Sequence, residues 1–148
     1  MFREIEIMGA PKPQVRHKAT RVNGQIRVYD PSSKDKKVFA KKVIAKAPKK
    51  ALKGCISLSL TFYMPRPQNH WKTKKGRCTQ SLKDWAKKQR LCITVPDADN
   101  LAKYVMDSCN GILWKDDCLI ARLQVEKLYV EDGYNRPRTL IEYWHVED

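Results

Sequence analysis

Pro96-Asp97-Ala98-Asp99-Asn100-Leu101-Ala102-Lys103-Tyr104-Val105-Met106-Asp107-Ser108-Cys109-Asn110-Gly111-Ile112-Leu113-Trp114-Lys115-Asp116-Asp117 carries both the turn of the architecture and the candidate chemistry. Leu101, Val105 and Cys109 recur at fourfold spacing, which predicts a helix over residues 100–110 ended by Gly111. Asn100, or Asp99 just before it, is positioned to cap its start. Asp97 and Asp99 stand two apart, so in an extended segment their carboxylates project to the same side. Asp99, Lys103 and Asp107 follow at intervals of four along one helix face. Asp116 and Asp117 close the stretch just ahead of a strand pattern, and if that strand runs beside 97–99, a third carboxylate joins the group.

Working outward, the flanks read mostly as strands. Residues 55–63 alternate apolar and small polar side chains, which predicts a half-buried strand with Ile56, Leu58, Leu60 and Phe62 inward. Residues 2–8 alternate with Ile5 and Ile7 on one face, and the two prolines of Gly9-Ala10-Pro11-Lys12-Pro13 end that run. A strand over 27–29 follows the Asn23-Gly24 turn. Residues 33–46 place Val38, Phe39, Val43 and Ile44 at helical spacing among lysines, a cationic amphipathic helix stopped by Pro48. The Lys-, Arg-, Gln- and Thr-rich residues 65–94 offer only a short helix over 81–90, and the 70–94 part is expected to be a mobile basic segment. Strands over 119–130 and 139–145, joined by a polar turn with Asp132-Gly133, complete a small mixed α+β fold of one domain, 1–148, without repeats.

Composition narrows the partner. Thirty Lys and Arg against 16 Asp and Glu give a formal charge of +14, a field that concentrates polyanions. Nucleic acid is therefore the first partner to consider. No apolar run approaches the roughly 20 residues of a membrane-spanning helix, and no basic stretch has a strongly apolar opposite face, so no membrane partner is expected. The five cysteines are odd in number and widely spaced, which suggests free thiols in a reducing cytoplasm rather than disulfides or a zinc module. Residues 1–8 lack the continuous apolar stretch of an export signal. His17, His70 and His145 are scattered, so neither a His-centred metal site nor a His-based triad is indicated. No small-molecule cofactor is expected.

Charge is also divided along the chain. Residues 36–96 hold 17 Lys and Arg and one acid, Asp84, whereas residues 97–117 hold five aspartates and only Lys103 and Lys115. Carboxylates gathered in so basic a protein repel one another, and a hard divalent cation such as Mg²⁺, or Mn²⁺, compensates them best. Such an ion polarises a phosphoryl oxygen, generates hydroxide at neutral pH and stabilises the leaving oxygen, which is the chemistry of phosphodiester cleavage. Lys103 would stabilise the developing negative charge or orient the water. Plainer readings stand beside this one. Asp-x-Asp before a helix is often an N-cap with a dipole-complementing acid, Asp116-Asp117 alone suits a solvated turn, Asp107 suits a surface role as readily as a catalytic one, and a lysine-rich helix is ordinarily a solvated face.

The quoted stretch also resembles the signature of the RusA family of Holliday junction resolvases, roughly P-D-x-D-N-x-x-K, a short helix, then N-G-x-x-x-x-D-D. Gly9-Ala10-Pro11-Lys12-Pro13 with Val28-Tyr29-Asp30 is similar to that family's opening, and Tyr63-Met64-Pro65-Arg66-Pro67 to its middle. The resemblance implies a RusA-like fold, metal binding by Asp97, Asp99 and Asp117, with Asp116 a further candidate, and Lys103 as the catalytic lysine. It further implies a homodimer making paired nicks across four-way junction DNA in recombination and repair, a Mg²⁺ (or Mn²⁺) cofactor, and a phage or prophage source with work in the bacterial cytoplasm. Residues 70–94 depart from shorter family forms. Their Lys72, Lys74, Lys75, Arg77, Lys87 and Lys88 are expected to contact DNA phosphates without reading sequence, and Trp71 or Trp85 to stack on opened bases or simply to pack. A nonenzymatic nucleic-acid binder, and a nuclease for flaps or other branched structures, are the competing functions.

Overall fold

The alternation over the middle of the chain builds the central strand of the computed structural model, which describes residues 1–147. In β4 (Ile56–Met64), Ile56, Leu58, Leu60, Phe62 and Met64 are buried on one side while Ser59, Thr61 and Tyr63 stay half-open on the other. β1 (Phe2–Met8), β7 (Ile120–Tyr129) and β8 (Arg138–His145) complete one mixed sheet in the order β1-β8-β4-β7. β4 and β7 are parallel, as a crossover connection requires, and the other two pairings are antiparallel. The strands at 120–129 and 138–145 follow each other in sequence but are not neighbours, because β4 lies between them.

Two helices cover one face of the sheet. α1 (Ser33–Lys46) spans the residues expected, but only Val43 and Phe39 of its apolar set pack on the core, while Val38 and Ile44 are exposed. Its cationic residues occupy most of its circumference, so two contacts suffice to seat it. α3 (Ala98–Cys109) buries Leu101, Ala102, Tyr104, Val105 and Cys109 against the same core. It starts two residues earlier than its periodicity suggests, with Asp97 at the N-cap in place of Asn100 or Asp99. Neither of these two helices covers the other sheet face. Register puts Glu4 beside Glu142 and Glu6 beside Leu140 there, with Glu126 on the row through Thr61.

Two hairpins stand outside the sheet. β2 (Lys18–Val22) pairs with β3 (Gln25–Tyr29) around Asn23 and Gly24, both at positive φ, the backbone that a tight two-residue hairpin turn needs. The sequence anticipated only the second of these strands. In the basic segment, β5 (Trp71–Lys74) and β6 (Arg77–Leu82) form a hairpin followed by α2 (Asp84–Lys87), shorter than the helix expected over 81–90. This regular structure has its own apolar support, since Trp71, Leu82, Ala86 and Val130 form a second buried cluster. Arg66 braces it from below, donating to the carbonyls of Val130 at 2.7 Å and Ala86 at 2.9 Å.

Candidate active site

The face-sharing residues of the helix meet the start of the edge strand in one groove. Asp99, Lys103 and Asp107 of α3 line it together with Ala98, Ala102 and Met106. Asp117, Leu123 and Val125, at and beyond the turn that leads into β7, form the opposite wall. The cavity measures about 420 Å³ and is open to solvent. The Asp117 carboxylate therefore joins the α3 face, as the sequence required for a shared site. Asp97 and Asp116 flank the groove without lining it.

Each acid can be sorted by what its side chain already does. Asp97 sits at the N-cap but makes no capping hydrogen bond, so local helix structure does not account for its carboxylate. Asp116 accepts a bond from the Cys118 amide at 3.1 Å, as a turn cap does. Asp107 is gripped by Lys36, whose ammonium donates to it at 3.0 Å and to Asp30 at 2.7 Å. Among the described residues, Asp97, Asp99 and Lys103 form no ion pair. No three His, Cys, Asp or Glu side chains of the described residues stand together as ready-made metal ligands. The donor set around the groove is nevertheless all oxygen, which suits Mg²⁺ or Mn²⁺.

Asp117 is held above its ordinary range. Partial burial pushes its carboxyl above the ordinary 3.8, the Trp114 hydrogen bond pulls it back, and the charges of Asp107 and Asp116 push it up again. The anionic form is thus disfavoured in place, which is what a carboxylate awaiting a cation shows. Asp30 lies at the other extreme. The Lys36 hydrogen bond, with the Ser32 amide and Gln14 against desolvation, holds its carboxyl down at about 2.

Three supports have no local signal in the sequence. Trp114, wholly buried, donates its indole N–H to Oδ1 of Asp117 at 2.6 Å and so fixes that carboxylate. Lys127 of β7 donates to the carbonyls of Thr94 at 2.6 Å and Pro96 at 2.7 Å, pinning the run into Asp97. Lys36 reaches Asp107, 71 positions away in the chain. Trp114 lies inside the quoted motif, three residues before Asp117, which is the one hint available; the two lysines reach across the fold.

The chain matches the profile of the family described as "Endodeoxyribonuclease RusA" over residues 8–142. It belongs to the RusA family. Among curated proteins it is similar to "Uncharacterized protein YqaN" of Bacillus subtilis (strain 168), 32% identical over 132 residues that cover 87% of this chain and 89% of that one. RusA membership implies an endodeoxyribonuclease that resolves Holliday junctions, and a mixed α+β fold agrees with it. The RusA match takes in β4, β7, both sheet-covering helices and both hairpins, leaving out most of β1 and the end of β8, and every residue that lines the groove lies within it.

The basic residues expected to meet DNA all lie on the surface. Lys72, Lys74, Lys75 and Arg77 are exposed on the β5–β6 hairpin, and Lys87 and Lys88 are exposed at the end of α2. Lys87 is shared, at 3.5 Å from Asp132 and 3.7 Å from Asp84. Trp71 is buried in the second cluster and has no face to offer a base. Trp85 is half-exposed, with its ring edge-to-face against His70 at 5.0 Å. No helix of the described residues is long and apolar enough to cross a membrane.

Proposed function

We propose that this RusA-family chain is a Mg²⁺-dependent endodeoxyribonuclease that resolves Holliday junctions by paired phosphodiester cleavage near the crossover. The observation that carries the reading is the single groove lined by Asp99 and Lys103 on one wall and Asp117 on the other, with Asp97, one residue before that lining, free of any capping bond. Asp97, Asp99, Asp116 and Asp117 are the proposed metal ligands, Asp116 the weakest because its carboxylate already caps a turn. A divalent cation there supplies Lewis acidity and a nucleophilic water at neutral pH. The residues do the rest. Trp114 holds Asp117 by one oxygen and leaves the other for the ligand position. Lys103, one helical turn from Asp99, bears on the phosphoryl oxygen as negative charge develops and the deoxyribose oxygen departs.

Residues 1–148 act as one endonuclease domain, with 70–94 as its adaptable DNA-contacting part through Lys72, Lys74, Lys75, Arg77, Lys87 and Lys88. DNA arrives at the open groove that holds Asp99, Lys103 and Asp117 and extends to the basic 70–94 segment. A homodimer supplies the second nick, because a four-way junction has approximate twofold symmetry and one site cuts one strand per encounter. The RusA resemblance supports a phage or prophage source and action in the bacterial cytoplasm.

The test is cleavage of a synthetic four-way junction against linear duplex of the same sequence, by wild type and Asp97→Asn, in Mg²⁺ and in EDTA. Symmetrical nicks on the junction alone, lost in EDTA and in the variant while binding persists, are expected. Equal cutting by the variant refutes the site, cutting of flaps in preference to junctions refutes the substrate, and binding without cutting under every condition leaves a nonenzymatic DNA binder.

A further inference from the structure

We infer that the β2–β3 hairpin is a second DNA-gripping element, a ribbon that enters a groove of the branched duplex beside the active-site groove; the inference rests on the nuclease reading. Every residue of both five-residue strands is exposed. Ile26 and Val28 are each 68% exposed on one face of the ribbon, opposite Arg21 and Ala19. A lone two-stranded hairpin is marginal in water, and an apolar strip packed on nothing marks a surface built for a partner.

The chemistry of the ribbon identifies that partner. From Gln14 to Tyr29 there are Arg16, Lys18, Arg21 and Arg27, with His17, and no acid. The cations lie on both faces, since register puts Lys18 beside Tyr29 and Thr20 beside Arg27 on one side, and Arg21 beside Ile26 on the other. A flat protein surface meets one face of a ribbon. The walls of a DNA groove meet both, and a major groove about 12 Å wide admits a two-stranded ribbon. The apolar side chains then lie against sugars and base edges while the cations reach phosphates on either wall.

The stem of the hairpin is tied to the helix that carries the candidate chemistry. The Gln14 amide N–H donates to the Asn100 carbonyl at 2.9 Å, near the start of α3. The Gln14 side chain donates to Asp30 Oδ1 at 2.9 Å, and Lys36 bridges Asp30 to Asp107 near the end of α3. The Val15 amide N–H donates to the Ser32 hydroxyl at 3.1 Å, closing the stem. Both strands of the ribbon therefore leave from a bracket fixed to α3, so duplex held by the ribbon is registered against Asp99 and Lys103.

The experiment is fluorescence-anisotropy binding of wild type, Arg21→Ala/Arg27→Ala and Ile26→Ser/Val28→Ser to a four-way junction and to linear duplex, in EDTA, over a range of salt, with thermal unfolding and sedimentation in parallel. The arginine variant is expected to bind the junction about tenfold more weakly, with a slope of log K against log salt reduced by about 1 to 2, one phosphate contact contributing about 0.9. Its unfolding temperature is expected to match wild type. Wild-type affinity and slope in the arginine variant overturn the inference, as does an Ile26→Ser/Val28→Ser protein that changes oligomeric state but binds DNA normally. Loss of binding to both DNAs by the variants, where wild type shows no junction preference, keeps the ribbon and sinks the resolvase reading. Junction preference retained unchanged in every variant does the reverse.

Discussion

Asp117→Asn is expected to stabilise the metal-free protein while abolishing cleavage. The amide keeps an oxygen for the Trp114 indole N–H, so that hydrogen bond survives, weakened from charge-assisted to neutral by about 1 kcal/mol. Against that loss, the substitution removes a partly buried charge and its repulsion with Asp107 and Asp116. The carboxyl is pushed up on balance, so the penalties outweigh the bond. Because Asp117 is half-exposed and water screens its neighbours, the net gain is on the order of 0.5 to 1 kcal/mol, a rise of about 1 to 4 °C in Tm for a domain of this size. The pH dependence has a definite sign. A carboxyl raised in the folded state binds its proton more tightly there, so wild-type stability declines as pH rises from 3.8 through the raised value, and the variant lacks that decline. Differential scanning calorimetry in EDTA at neutral pH, repeated with Mg²⁺, is the assay. Mg²⁺ should raise wild type and leave the variant unmoved. A variant less stable than wild type in EDTA by more than about 1 kcal/mol refutes the reasoning, since the Trp114 bond would then dominate the site.

Lys36→Met should cost about 2 kcal/mol in urea unfolding, because it leaves Asp30 and Asp107 without the ammonium between them, at a side chain only 13% exposed; a loss under 0.5 kcal/mol would show the bridge to be inert. Trp114→Phe should cost about 2 to 3 kcal/mol and weaken the Mg²⁺ dependence of cleavage by about tenfold or more, as loss of a ligand-orienting bond does; an unchanged Mg²⁺ titration would remove Trp114 from the site. In acid, Asp30, held at about 2, contributes stability that is complete above its ordinary 3.8 and lost as pH falls through about 2. Asp30→Asn should accordingly flatten the acid limb of a stability profile, and parallel limbs in the two proteins would contradict the Lys36–Asp30 link.

What could be read in the chain depended on the range of the forces involved. Alternation in β4 and the spacing of Leu101, Val105 and Cys109 are local patterns, and both elements formed, the helix starting two residues earlier than its spacing suggested. Asp99, Lys103 and Asp117 met in one groove because helix periodicity and a following strand leave few alternatives. The expectation weakened wherever a distant partner decided. Trp71 resembles a base-stacking platform in a basic stretch, and it is its packing with Leu82, Ala86 and the distant Val130 that makes it core. The Lys36 bridge and the Lys127 clasp on the 94–96 backbone are likewise invisible without the fold. Asp97 and Asp116 look equivalent as sequence, yet one carboxylate is free of capping and the other holds an amide.

The placement of β8 between β1 and β4 determines when the groove can exist. No residue of β8 lines it, yet β1 finds its ladder only on that strand, and without it β4 has β7 alone. These contacts join residues more than a hundred positions apart in the case of β1, a topology that closes late. A chain emerging from the ribosome would thus have exposed every candidate catalytic residue before residues 138–145 arrive to lock the sheet beneath them. The full four-stranded order waits on residues 138–145, which are made after every acid of the groove.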